Sequence, residues 1–131
     1  MSFMEWAPEL SVGVKEIDDQ HKKLVEIINK ANEISLEKEK GSKVLNELIE
    51  FVRVHFGTEE KYFKQTNYLG SEEHILEHAR LIEKVLEFKT KHEEGKCPCD
   101  EFLKFLKKWV ENHLKIMDRK YVETFKEYGL K

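Results

Sequence analysis

Four stretches of this chain repeat apolar side chains at intervals of three and four, and each stretch sets at least one histidine on or beside that apolar side. A period near 3.6 is the mark of an amphipathic helix, so the pattern predicts four helices packed by their apolar faces. From Asp18 the positions are Leu24, Ile27, Ile28, Ala31 and Ile34, with Asp18 or Asp19 expected as cap and the helix ending before Gly41. A second helix, capped by Ser42, carries Val44, Leu45, Leu48, Ile49, Val52, Phe56 and Phe63 and ends near Gln65. Ser71 is expected to cap a third, with His74, Ile75, His78, Ile82, Val85 and Leu86 inside and its end within residues 92–95. Asp100 opens the fourth, through Phe102, Leu103, Leu106, Trp109, Val110, His113, Met117 and Tyr121 to about Phe125.

Short connections force neighbouring helices to run antiparallel, so the expected fold is all-α, an up-down-up-down four-helix bundle. It forms a single domain over residues 1–131, with an irregular N-terminal arm at 1–17 and the bundle at 18–127. Pro8 and Gly13 interrupt any period in the arm, whose Phe3 and Trp6 are expected to pack onto the bundle. A chain of 131 residues can bury a sizeable core.

Charge excludes some functions. With 23 Lys+Arg interleaved among 26 Asp+Glu, the chain offers no basic footprint for nucleic acid. No apolar run approaches the roughly 20 residues that cross a bilayer, and no secretory leader pattern opens the chain. A cytoplasmic protein without membrane insertion is expected, and the lack of a long apolar outer stripe points to a monomer. The two cysteines, in Cys97-Pro98-Cys99, are too few for a disulfide scaffold and do not match C-x-x-C. They read as a loop, with a regulatory disulfide or an adventitious metal contact as alternatives.

The histidines carry the chemistry. His21, the pair His55/Glu59, the pair His74/His78 and the pair His113/Asp118 offer seven donors, more than one ion can use, and point to two metal ions inside the bundle. Residues four apart on a helix lie about 40° apart, so His55/Glu59 and His74/His78 each aim at one spot. A buried Glu59 without a cation beside it would be costly, and a metal removes that cost. His113 and Asp118 are five apart, about 140° round a regular helix, so a π-type distortion between them is expected. Any one of these pairs alone is weak; an inward histidine from every helix is not. His92, fourteen residues past His78, lies about 21 Å along the helix, beyond reach, and is expected to be solvated.

The chain resembles a hemerythrin of the single-domain bacterial kind. The resemblance rests on Trp6 to Val14 ahead of Ile17-Asp18-Asp19-Gln20-His21-Lys22-Lys23-Leu24, on His55-Phe56-Gly57-Thr58-Glu59-Glu60, on His74-Ile75-Leu76-Glu77-His78, and on His113-Leu114-Lys115-Ile116-Met117-Asp118-Arg119-Lys120-Tyr121. It covers nearly the whole chain; Leu69 departs from a proline common there, and the Cys-Pro-Cys loop lies outside the pattern.

The resemblance implies that His74, His78 and His113 hold one iron and His21 and His55 the other. Glu59 and Asp118 would bridge them together with an oxo or hydroxo group. It further implies that the iron with two histidines keeps an open position for dioxygen, giving reversible binding for transport, storage or delivery and no catalysis. Reversibility needs a dry apolar pocket. By position relative to the ligands it would be lined by Leu24, Phe56, Trp109, Val110 and Leu114, with Tyr121 near Asp118. The rivals are an oxygen, redox or nitric oxide sensing module and a di-iron oxidase or peroxidase. Ferritin-like oxidases use Glu-x-x-His, which is absent here: Val52, Ser71, Ile75 and Val110 stand three before His55, His74, His78 and His113.

Overall fold

The computed structural model describes residues 3–34, 38–96 and 99–131. Four long helices dominate it: α1 (Lys15–Glu33), α2 (Lys38–Thr66), α3 (Ser71–Glu93) and α4 (Cys99–Asn112). After α4 the chain makes a π turn (His113–Met117), a 3-10 turn (Asp118–Tyr121) and a short helix α5 (Val122–Tyr128). No strand occurs among the described residues.

Side-chain pairs fix the directions. Lys30 meets Glu47 while Gln20 meets His55 and Thr58, so α1 and α2 run antiparallel. Glu60 meets His78 while Phe63 meets His74, which reverses α3 on α2. Phe88 stacks on Phe102 at 3.9 Å and Glu77 meets His113, which reverses the fourth helical segment on α3. The bundle is therefore up-down-up-down.

Burial divides the interior in two. The larger apolar cluster runs through Leu24, Ile27, Ile28, Leu45, Leu48, Val52, Leu81, Val85, Leu106, Val110 and Leu114. A smaller one joins Val12, Val14 and Ile17 to Phe63, Tyr121 and Phe125. Each fully buried Leu, Ile or Phe contributes about 1.5–3 kcal/mol relative to exposure, which lets the bundle carry a polar layer near the small cluster.

Several expected boundaries shift. Helix α1 begins at Lys15, not Asp18, because Ile17 already faces the core; Asp18 and Asp19 are interior to it and cap nothing. Asp18 instead reaches back to the arm, accepting from the Val12 amide at 2.8 Å and the Ser11 hydroxyl at 2.5 Å. Helix α2 begins at Lys38, so Gly41 and Ser42 lie inside it, although an interior glycine costs roughly 1 kcal/mol. The cap of α3 is Gly70, with Ser71 its first helical residue. The buried side of α3 is His74, His78, Leu81, Val85, Phe88 and His92, whereas Ile75 and Leu86 are exposed and Ile82 half-buried. Of the expected stripe, His74, His78 and Val85 are buried and Ile82 packs against the core, while Leu81, Phe88 and His92 take the places expected of Ile75 and Leu86.

The arm is irregular apart from a single 3-10 turn (Pro8–Leu10). Asn29 holds it at one end, accepting from the Met4 amide and donating to the Met4 carbonyl, both at 2.8 Å. Arg119 holds the other end, donating to the carbonyls of Ser11 and Glu9. Phe3 and Trp6 pack against the main core as expected. Cys99 opens α4 and is disulfide-bonded; Cys97 and Pro98 lie outside the described residues. At the C-terminus Gly129, at φ 92°, turns the chain left-handed so that the Leu130 amide reaches the Phe125 carbonyl at 3.0 Å.

Candidate metal centre

Each helix delivers its donors to one level of the bundle. The i, i+4 spacing brings His55 and Glu59 together on α2, with 3.5 Å between Nε2 and Oε1, and sets His74 and His78 side by side on α3 with ring centroids 4.7 Å apart. His21 enters from α1. His113 and Asp118 enter from the distorted segment, where the amide of Asp118 donates to the carbonyl of His113, an i to i+5 bond. That wider turn carries Asp118 back over His113, and Asp118 Oδ1 lies 3.0 Å from His113 Nε2. The expected distortion is present at the expected place.

All five imidazoles present Nε2 to the centre. Asp118 sits between their two sets: Oδ1 lies 3.0 Å from His74 and from His113, and Oδ2 lies 3.1 Å from His21. Glu59 spans them likewise, with Oε1 at 3.1 Å from His78, 3.5 Å from His55 and 3.9 Å from His74. Donor atoms of Glu59, His74, His78 and His113 lie within 4.8 Å of one another, and so do those of His21, His55 and Glu59. Six of the seven residues form two adjoining nests that share Glu59, and Asp118 reaches a histidine of each. All seven are buried.

These atoms fit a cation by their chemistry. His21 Nε2, His78 Nε2, Glu59 Oε1 and both oxygens of Asp118 are buried without a hydrogen-bond partner, although their neighbours are close. Carboxylate oxygens and unprotonated ring nitrogens are all acceptors, and converging acceptors need a positive charge between them. No lysine or arginine among the described residues pairs with Glu59 or Asp118, so their burial calls for a cation at the cluster.

The electrostatics of the bare cluster show the same conflict. Burial pushes His55 down to about 4 and His78 down to about 3, the latter against the pull of Glu60. Burial also acts to lower His113, but Asp118 and Glu77 outweigh it and raise this imidazole to about 10. Burial opposes ionisation of Asp118, yet His113 and the other imidazoles hold its carboxyl well below the usual range.

Tyr121 lies beside Asp118 as expected, within reach of that carboxylate's charge, and its hydroxyl donates to Glu59 Oε2 at 2.6 Å, leaving Oε1 to face the histidines. Burial, then the neighbouring carboxylates, push this phenol well above its ordinary range, so it stays a donor. His92 is buried beside Phe88, with ring centroids 6.0 Å apart, and is not solvated: α3 continues far enough that its apolar side takes the imidazole in.

Three residues outside the expected donor set, Gln20, Glu60 and Glu77, surround the centre. The outward Nδ1 of His78 meets Glu60 Oε2 at 3.0 Å, that of His113 meets Glu77 Oε1 at 3.1 Å, and that of His55 meets Gln20 Oε1 at 2.6 Å. Each adjoins a ligand in sequence, which was the available signal. Residues expected to line a gas pocket all belong to, or pack on, the main core: Leu24, Phe56, Val110 and Leu114 are buried and Trp109 is half-buried. Phe56 stacks on His78 at 3.7 Å and lies 5.9 Å from His55, so it touches both nests; Trp109 stacks on His113 at 4.5 Å.

Residues 12–125 match the family described as Hemerythrin HHE cation binding domain. The chain belongs to the hemerythrin family. Among its relatives, bacteriohemerythrin of Pseudomonas aeruginosa is 31% identical over 126 residues, spanning 95% of this chain and 82% of that protein. Bacteriohemerythrin of Clostridium acetobutylicum is 34% identical over 127 residues, spanning 90% and 98%. A solved wild-type hemerythrin superposes with a TM-score of 0.86 at 25% identity, covering 94% of this chain and 98% of that one. The hemerythrin fold here carries a cation-binding cluster of histidines and carboxylates, and no helix of the described residues is long and apolar enough to cross a membrane.

Proposed function

We propose that this chain binds dioxygen reversibly at a pair of iron ions, as a carrier, store or delivery protein and not as an enzyme. The observation that carries the reading is the unequal pair of nests: three histidines serve one and two serve the other, with Glu59 common to both and Asp118 reaching a histidine of each. A pair of irons held there would supply two reducing equivalents to the gas.

The residues of the chain do the rest. His74, His78 and His113 would hold one ion, and His21 and His55 the other. Glu59 and Asp118 would join them, with an oxo or hydroxo group between. Tyr121 fixes the free oxygen of Glu59 through its 2.6 Å hydrogen bond, so that the carboxylate cannot swing away. Leu24, Phe56, Trp109, Val110 and Leu114 supply an apolar wall that keeps water from the gas. The imidazole-rich donor set, without the four glutamates of ferritin-like oxidases, favours holding the gas over activating it. Kinship with bacteriohemerythrins supports the same reading.

The visible spectrum of iron-loaded protein tests it. The reading expects a charge-transfer band that grows with oxygen, vanishes on degassing and returns through many cycles. Bleaching with turnover of peroxide would instead show an enzyme, and a band indifferent to degassing would deny reversible binding.

A further inference from the structure

We propose that Glu60 and Glu77 make the two nests unequal in strength, so that the three-histidine nest takes its ion first and holds it longer, while Gln20 leaves the two-histidine nest the weaker. The inference rests on the two-ion reading above.

Three cross-helix bonds carry it. Glu60, next to Glu59 on α2, meets His78 on α3; Glu77, next to His78 on α3, meets His113; Gln20, next to His21 on α1, meets His55 on α2. In each the partner oxygen can only accept, so Nδ1 must carry the proton and the Nε2 lone pair must point into the cluster. The tautomer is thereby set alike on both sides. The charge is not.

Glu60 and Glu77 offer carboxylates to their imidazoles and keep 35% and 28% of their side chains in solvent. A carboxylate accepting the Nδ1 proton draws it outward and makes the imidazole a stronger donor at Nε2. Gln20 accepts as a neutral amide. Its orientation is fixed from the other end, where its Nε2 donates to the Thr58 hydroxyl at 3.2 Å and that hydroxyl donates to the Val54 carbonyl at 3.1 Å. This relay presents the amide oxygen to His55 without adding charge. His21 and His74 have a buried Nδ1 with no partner, one in each nest, and so do not disturb the comparison. Two outer carboxylates therefore strengthen the nest of His74, His78 and His113, and none strengthens that of His21 and His55.

Outer partners of this sort change metal affinity by about 10–100-fold. The test is titration of the metal-free full chain with cobalt(II) against a competing chelator, following the cobalt absorption bands. Wild type should take two ions in two steps, the first at least about tenfold tighter. The double variant Glu60→Gln, Glu77→Gln keeps an accepting oxygen at each site; it should weaken the first step by about 10–100-fold and leave the second in place. Gln20→Glu should tighten the second step and leave the first, which supplies a gain that misfolding cannot imitate. Two ions bound with equal affinity in wild type, or two steps that the double variant leaves unmoved or weakens alike, would overturn the proposal. Total uptake below two ions would overturn the two-ion reading itself.

Discussion

His113 and Asp118 stand five residues apart, and yet Nε2 of the one lies 3.0 Å from Oδ1 of the other. In a regular helix they would diverge by about 140°. The π turn between them takes up one extra residue and restores the shared face, and the bond from the Asp118 amide to the His113 carbonyl closes it. Deleting the exposed Lys115 should therefore be tolerated: the segment reverts to a regular helix with histidine and aspartate four apart. Inserting an alanine there should turn Asp118 and Tyr121 away by about 100°. Metal content per chain checks the pair, with two ions expected for the deletion and a loss for the insertion. Equal damage from both would show that the turn does more than absorb a residue.

Tyr121→Phe removes the donor to Glu59 Oε2 and leaves a buried carboxylate oxygen without a partner. Losing a hydrogen bond to a charged group costs about 1.5–3 kcal/mol. Urea unfolding of the metal-free variant should show a loss of that size, with circular dichroism of the folded state unchanged. A loss below about 0.5 kcal/mol would mean that the bond holds nothing in place.

The stability of the metal-free protein should peak near pH 6.5. His55 and His78 are held by burial at about 4 and about 3, below the unfolded value of 6.5. Between those limits the unfolded chain binds more protons, so stability falls as pH drops from 6.5. His113 moves the other way: burial lowers it, Asp118 and Glu77 prevail, and it stands at about 10. Its contribution is complete below 6.5 and is lost as pH rises toward 10. Urea midpoints across pH 4 to 10 check this, and a curve that rises or falls steadily through the whole range would contradict it.

Gly57 is exposed inside α2, and a methyl group there would meet nothing within 4 Å. Gly57→Ala should stabilise the protein by about 0.5–1 kcal/mol, since alanine is the better helix former. A thermal scan of the variant beside wild type reads the change. Destabilisation would show that the freedom of this glycine between His55 and Glu59 is needed by the fold.

The parts legible from residue order were those that spacing alone determines. The His55/Glu59 and His74/His78 pairs meet because four residues make about one turn, and the conflict in spacing between His113 and Asp118 announced its own π turn. Helix starts were less legible. Asp18 and Ser42 are capping residues by type, yet both lie inside their helices; at Asp18 the reason is buried Ile17 ahead of it, because burial outweighs a cap. The inner side of α3 is only partly legible: His74, His78 and Val85 face in as their spacing predicts, but Ile75 and Leu86 do not. Its exposed side carries Ile75, Leu76 and Leu86, so apolar content alone could not separate the inner face from the outer. Gln20, Glu60 and Glu77 were hidden because they serve histidines on neighbouring helices, and such pairings exist only once the bundle is assembled.

The most direct measurement is an oxygen titration of the anaerobically reduced, iron-loaded chain, with iron content determined on the same sample. Two irons and one reversibly bound dioxygen per chain is the expected result, abolished by His74→Ala. One iron or none at saturation, or uptake of oxygen that degassing does not reverse, would contradict it.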